Sequence, residues 1–133
     1  MFEAMRISAT GMAAERFRLD LVAHNLANIN TTRTAEGGPY QRQSAIFAEV
    51  MGRVQGRGGV QVSGVSRDTT PPQLVYDPGH PDANENGYVA MPNVNVINEM
   101  VDMITATRAY EANVTAVTSF KEMFLKALEI GRG

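Results

Sequence analysis

The sequence predicts a mainly α chain with a small β part: long N- and C-terminal helices that form a coiled-coil-like hairpin, and a short antiparallel β segment between them. Three observations predict this. Met5, Met12, Leu19 and Leu26 recur every seven residues near the N-terminus. Val96, Met103, Tyr110, Val117 and Phe124 recur every seven near the C-terminus. Between them the spacing breaks up, and glycine and proline punctuate short apolar runs. A repeat of seven marks helices that pack along their length.

The first helix is expected from Phe2 to Ile29, roughly 40 Å at ~1.5 Å per residue. Its seam is Met5, Met12, Leu19, Val22, Leu26 and Ile29. Gly11 lowers helix propensity by up to ~1 kcal/mol relative to Ala, but a residue so small lets a neighbouring helix come close. Asn28 to Thr32 should end the helix, because Asn tolerates the left-handed C-terminal position and Thr is a weak helix former. Glu36-Gly37-Gly38-Pro39 is a turn. Tyr40 to Met51 reads as a strand or extended arm with poor alternation. Gly52, Gly56, Gly58 and Gly59 suggest a mobile connection. Val60-Gln61-Val62 alternates as a half-buried strand should, until Pro71-Pro72 stops it. Gln73 to Tyr76 and Tyr88 to Met91 are further short strands, separated by the turn formers Asp77-Pro78-Gly79-His80-Pro81. Together these strands predict one small antiparallel sheet. The second helix is expected from about Val94 to Ile130, capped by Asn93, Asn95 or Asn98 and ended by Gly131. Its seam is Val96, Met100, Met103, Tyr110, Val114, Val117, Phe124 and Leu128. One composite domain results, with residues 1–33 and 94–133 as its helical core and 34–93 as the β-rich middle.

At 133 residues the chain is one domain long. A net charge of -2 offers no basic stripe for nucleic acid. No run approaches the ~18 apolar residues of a membrane-spanning helix. Charged residues from Arg6 to Asp20 interrupt any secretory signal, and composition by itself suggests a cytoplasmic protein. With no cysteine there are neither disulfides nor thiolate metal sites. His80 lies between Asp77 and Asp82, but a metal site wants three or four convergent ligands, so this segment reads as a proline-locked turn. The glycines from Gly52 to Gly59 lack the spacing of a phosphate-binding loop. No nucleophile–base pair appears, so neither enzymatic activity nor a cofactor is expected.

Asn25 and Asn28 lie three apart on the helix surface, beside the seam residues Leu26 and Ile29. Tyr110 and Asn113 repeat that spacing on the second helix. A polar residue in a seam sets register at some loss of stability. These four residues are therefore candidates for an inter-helix register network, alongside plain capping of the first helix by Asn28. One hairpin shields only part of each apolar stripe, so the rest must meet other subunits or leave the ends poorly ordered.

The run Asn25-Leu26-Ala27-Asn28-Ile29-Asn30-Thr31 resembles the N-terminal motif of the bacterial flagellar rod and hook family, whose shared core here is Asn25, Leu26, Ala27 and Asn28. Val75 to Pro81, Asn86 to Val89, Met91 to Val94, Glu99 to Ile104 and Thr107 to Val114 extend the resemblance over nearly the whole chain, toward the proximal-rod members. His24 departs from the small or amide residue more usual there. The resemblance implies a structural, non-enzymatic subunit of the drive shaft, within the basal body in the periplasm. It implies export by the flagellar type III apparatus without a cleaved signal, which overrides the cytoplasmic reading. The implied partners are the rod proteins FlgB, FlgF, FlgG and FliE, and copies of the chain itself. A cytoplasmic coiled-coil adaptor or export chaperone is the alternative.

Overall fold

A computed structural model of the chain describes residues 2–50 and 58–133. Helix α1 spans Phe2–Ala27, followed by strands β1 Gln43–Glu49, β2 Val60–Arg67, β3 Gln73–Tyr76 and β4 Tyr88–Met91, and then helix α2 Val96–Gly131. The expected class is the observed one: two long terminal helices around a small antiparallel β part. The expected connection through Gly52 and Gly56, and Met51 at the end of the arm, lie outside the described residues.

α1 ends two residues earlier than Ile29. The Asn28 backbone N–H and side-chain amide both donate to the His24 carbonyl, at 3.1 and 2.8 Å. Asn28 then accepts from the Thr31 backbone N–H and hydroxyl. These side-chain bonds offer the backbone an alternative to another helical turn. α2 begins after Asn95, the cap, whose side chain accepts from the N–H groups of Ile97 and Asn98. The helix runs through Gly131 rather than stopping before it, and Arg132 is its C-cap.

The strands form two two-stranded sheets, not one. β1 pairs antiparallel with β2 from Gln43↔Arg67 to Glu49↔Val60, with a register shift between Ile46 and Phe47. β3 pairs antiparallel with β4 from Gln73↔Met91 to Tyr76↔Tyr88. Pro71-Pro72 separates the ladders; proline has no N–H to continue one. Gly87 closes the second hairpin at φ +83°, where a Cβ would come within 2.9 Å of the Tyr76 ring. The first sheet is tied to α1: the Thr10 hydroxyl accepts from the Val60 N–H at 3.2 Å, and Arg6 donates to the Gly58 carbonyl.

The helices run antiparallel. Phe2 meets Phe124 edge-on at 5.1 Å, Gly11 faces Asn113, Arg18 faces Asp102 and Asn25 bonds Glu99. On α2 the face toward α1 therefore steps by four and three through Glu99, Met103, Ala106, Tyr110, Asn113, Val117, Phe120 and Phe124. Met103, Tyr110, Val117 and Phe124 of the expected seam lie on it. Val96, Met100, Val114 and Leu128 do not, and they stay exposed. The flanking positions of the seam are taken by Ala106 and Asn113, which the heptad count overlooked because neither is a large apolar residue. On α1, Val22 is buried, and Met5, Met12, Leu19 and Leu26 are half-buried; Ile29, just past the helix, is half-buried too.

Small residues hold the helices close. Ala14 and Ala106 are buried, and a Cβ on Gly11 would lie 3.0 Å from the Asn113 amide nitrogen. Gly11→Leu is expected to destabilise the chain by ~1–3 kcal/mol through overpacking. In an Asn113→Ala background the loss should shrink, because the obstructing amide is gone. Urea unfolding midpoints of the four proteins measure this; an equal loss in both backgrounds would remove the close approach as the cause.

Candidate functional site

The largest fully buried side chains of the two helices are polar. Glu99, at 0% exposure, and Asn25, at 1%, sit where α1, α2 and the arm leading into β1 converge. Asn25 acts as a surrogate strand neighbour for the arm. Its Oδ1 accepts from the Tyr40 hydroxyl at 2.6 Å and from the Gln43 N–H at 3.0 Å. Its Nδ2 donates to the Gln43 carbonyl at 2.8 Å and to Glu99 Oε2 at 3.2 Å. Every capacity of the buried amide is used, as burial of a polar group requires.

Arg42 brings the charge. Its Nε donates to Glu99 Oε1 and its Nη2 to Asp102 Oδ2 at 2.9 Å, while Arg18 approaches Asp102 at 3.7 Å. Burial opposes the Arg42 charge, yet the hydrogen bond and charge of Glu99 outweigh it and raise the pKa of the guanidinium. Burial, then the charge of Glu99, pushes the Tyr40 phenol up. Asn93 completes the clasp: its Oδ1 accepts from the Arg42 N–H, and its Nδ2 donates to the carbonyls of Asp68 and Thr70. One side chain thus joins the start of β1, the end of β2 and the entry to α2. The clasp makes hairpin and arm one body.

A second tie holds the β3–β4 turn to the loop after α1. Asp82 accepts from the Thr32 hydroxyl at 2.6 Å and from Arg33 at 2.5 Å. His80 is a turn lock, its Nδ1 accepting from the Asp82 N–H at 3.0 Å. The Thr32 hydrogen bond, then the Arg33 charge, holds the Asp82 carboxyl below its ordinary range. A carboxyl whose folded pKa is depressed contributes stability above its unfolded pKa, about 4, and loses it as pH falls through the folded value. The parent chain should therefore lose melting temperature below about pH 4 more steeply than Asp82→Asn, as followed by thermal melts at stepped pH. Parallel profiles would show that this tie carries no linkage.

The proposed register residues fall in two places. Asn25 and Asn28 are at the arm end of the hairpin; Asn113 packs against Gly11 and donates to the Ala109 carbonyl. Among the described residues no hydrogen bond joins Asn25 or Asn28 to Tyr110 or Asn113. Asn25 is instead the hub of the clasp, and Asn28 terminates α1. His24 is exposed and meets Tyr40 edge-on at 5.4 Å. Sequence reasoning missed Tyr40, Arg42, Asn93, Glu99 and Asp102 as a unit. The one available signal was Glu99, an acidic residue at a seam position; nothing local marks Arg42 as its partner.

Among the described residues there is no group of three His, Asp or Glu side chains placed to hold a metal, and no helix is long and apolar enough to cross a membrane. Near its start, α2 also presents an apolar surface outward. Ile97, Met100, Val101 and Ile104 are all more than half exposed, on the side of α2 opposite α1.

Two family models match the chain: "Flagella basal body rod protein" over residues 5–33, and "Flagellar basal body rod FlgEFG protein C-terminal" over residues 85–130. Those spans hold most of α1 with the Asn25 motif, and β4 with most of α2. The chain is 43% identical to the flagellar basal-body rod protein FlgC of Borreliella burgdorferi, covering 100% of this chain and 99% of that protein. It is 42% identical to that of Bacillus subtilis, over 98% of each, and 40% identical to that of Salmonella typhimurium, over 95% and 94%.

Proposed function

The chain belongs to the flagellar basal-body rod protein family, and from that premise we propose that it is a structural subunit of the proximal rod, non-enzymatic, built in through its terminal helices. The observation that carries this reading is the hairpin itself. Its two long helices satisfy each other along one face only, and the outer face of α2 keeps an apolar stripe that a monomer has no use for. Heterologous contacts that do not close on themselves build a tube from such units. The helices then line a central channel, and the two small sheets extend outward to brace neighbours. Apolar burial supplies cohesion at roughly 25 cal/mol per Å², and the clasp passes load between the outer sheets and the inner helices. The rod name of these relatives leaves the cytoplasmic adaptor without support.

The working place is the basal body, reached across the inner membrane by the flagellar type III export apparatus, with FlgB, FlgF, FlgG, FliE and further copies of the chain as neighbours in the periplasm. Quantitative mass spectrometry of purified hook–basal bodies, set against the cytosolic fraction, tests the reading. Enrichment in a small fixed ratio to other rod proteins is expected. A chain that stays cytosolic and is absent from basal bodies would overturn it.

A further inference from the structure

We infer that Asn86-Gly87 is a self-modifying step of this chain: the asparagine converts to aspartate or isoaspartate while the β3–β4 hairpin is open, and folding of that hairpin switches the conversion off. The sequence singles out the position. Of the nine asparagines, Asn86 is the one followed by glycine; the others precede Leu, Ile, Thr, Glu or Val. A side chain on the following residue screens its backbone nitrogen, and glycine has none. In the open chain the Gly87 nitrogen therefore reaches the carbonyl carbon of the Asn86 side chain. A carbon–nitrogen bond forms there. The side-chain amide leaves as ammonia, taking the Gly87 amide proton with it, and a cyclic imide remains. Water then adds at either imide carbonyl and opens the ring, which leaves aspartate or its backbone-extended isomer at position 86. The chain and water supply every atom, so the inference does not rest on the rod reading.

The folded turn leaves the electrophile free and ties the nucleophile. Asn86 is exposed, and its side chain makes no hydrogen bond among the described residues. Gly87 is buried. Its N–H donates to the Asn84 carbonyl at 2.9 Å, and its carbonyl accepts from the Asp77 N–H at 2.9 Å. The Asn84 side chain fixes the turn from inside, where Oδ1 accepts from the N–H groups of Asn86 and Tyr88, each at 2.9 Å. A buried N–H held on a carbonyl keeps its proton, and a protonated amide nitrogen does not attack. With the backbone nitrogens of Asn86 and Gly87 both pinned, the chain also cannot turn one toward the side chain of the other. Conversion therefore runs through local opening of the turn, at a rate set by the population of the open form. The product does not fit the closed turn. Isoaspartate lengthens the backbone by a methylene next to Gly87, which sits at φ +83° where even a Cβ would come within 2.9 Å of the Tyr76 ring.

The test incubates the purified full chain in buffer and in guanidinium chloride, at one mildly alkaline pH and one temperature. Peptide mass spectrometry follows deamidation at each asparagine with time. In denaturant Asn86 is expected to react before every other asparagine; in buffer it should react roughly tenfold or more slowly, the factor being set by how seldom the turn opens. Asn84→Ala removes the inner acceptor and leaves Asn86-Gly87 intact. It should raise the rate in buffer several-fold and leave the rate in denaturant unchanged, and a variant too unstable to fold should react in buffer at its denatured rate. Equal rates for the parent in the two solutions, another asparagine reacting first in denaturant, or Asn84→Ala as slow as the parent in buffer would overturn the inference.

Discussion

Replacing Arg42 by Met is expected to destabilise the chain by about 3 kcal/mol, the low end of what breaking a buried ion pair costs. The variant keeps the length and apolar stem of the side chain but removes the cation beside Glu99. Glu99, with no exposed surface, then holds a carboxylate whose remaining side-chain hydrogen bond among the described residues is the Asn25 amide at 3.2 Å. Asp102 loses its 2.9 Å partner and keeps Arg18 at 3.7 Å. The arm should also loosen, because Arg42 joins it to α2. Adding Glu99→Gln to Arg42→Met should recover part of the loss, since the buried charge that needed a partner is gone. The urea midpoint of each single and of the double variant reads this directly. Strictly additive losses would mean that Arg42 and Glu99 are not coupled, and the clasp would dissolve into unrelated contacts.

Val117→Asp is expected to abolish motility while leaving export intact. Val117 is half-buried on the face of α2 that carries Asn113, packed on Gly11, and Phe124, packed on Phe2. An aspartate there sets an unpaired carboxylate into the helix seam, at a loss of roughly 2–3 kcal/mol per copy. A shaft built of many copies repeats that loss at every subunit, so incorporation should drop well below a tenth of the parent's. Thr115→Asp, at an exposed position of α2, is the matched control and should behave as the parent does. Swimming halos and the amount of chain in purified basal bodies decide the matter. Motile Val117→Asp cells would sink the seam.

The helices and the four strands were legible because each rests on local pattern. Seven-residue spacing defines α1 and α2, Asn28 and Asn95 mark an end and a start, and proline and glycine bracket the strands. The separation into two sheets also follows from Pro71-Pro72, whose missing N–H groups interrupt a ladder. Less legible was the inner face of α2. Ala106, fully buried, and Asn113, against Gly11, hold positions toward α1 where close packing favours small or polar groups over bulk, so a count of large apolar residues passes over both.

By itself the sequence determined the mainly α architecture, the hairpin of the two ends and the likeness to rod proteins, since periodicity and motif both reside in neighbouring residues. Only the tertiary structure decided what Asn25 does. Its four hydrogen bonds reach residues 15 to 74 positions away, as does the charge of Arg42 on Glu99 across 57. Such partners are chosen by the antiparallel register of α1 and α2 and the path of the arm between them. A buried polar group takes whichever donor or acceptor that packing delivers, and no spacing along the chain encodes the choice.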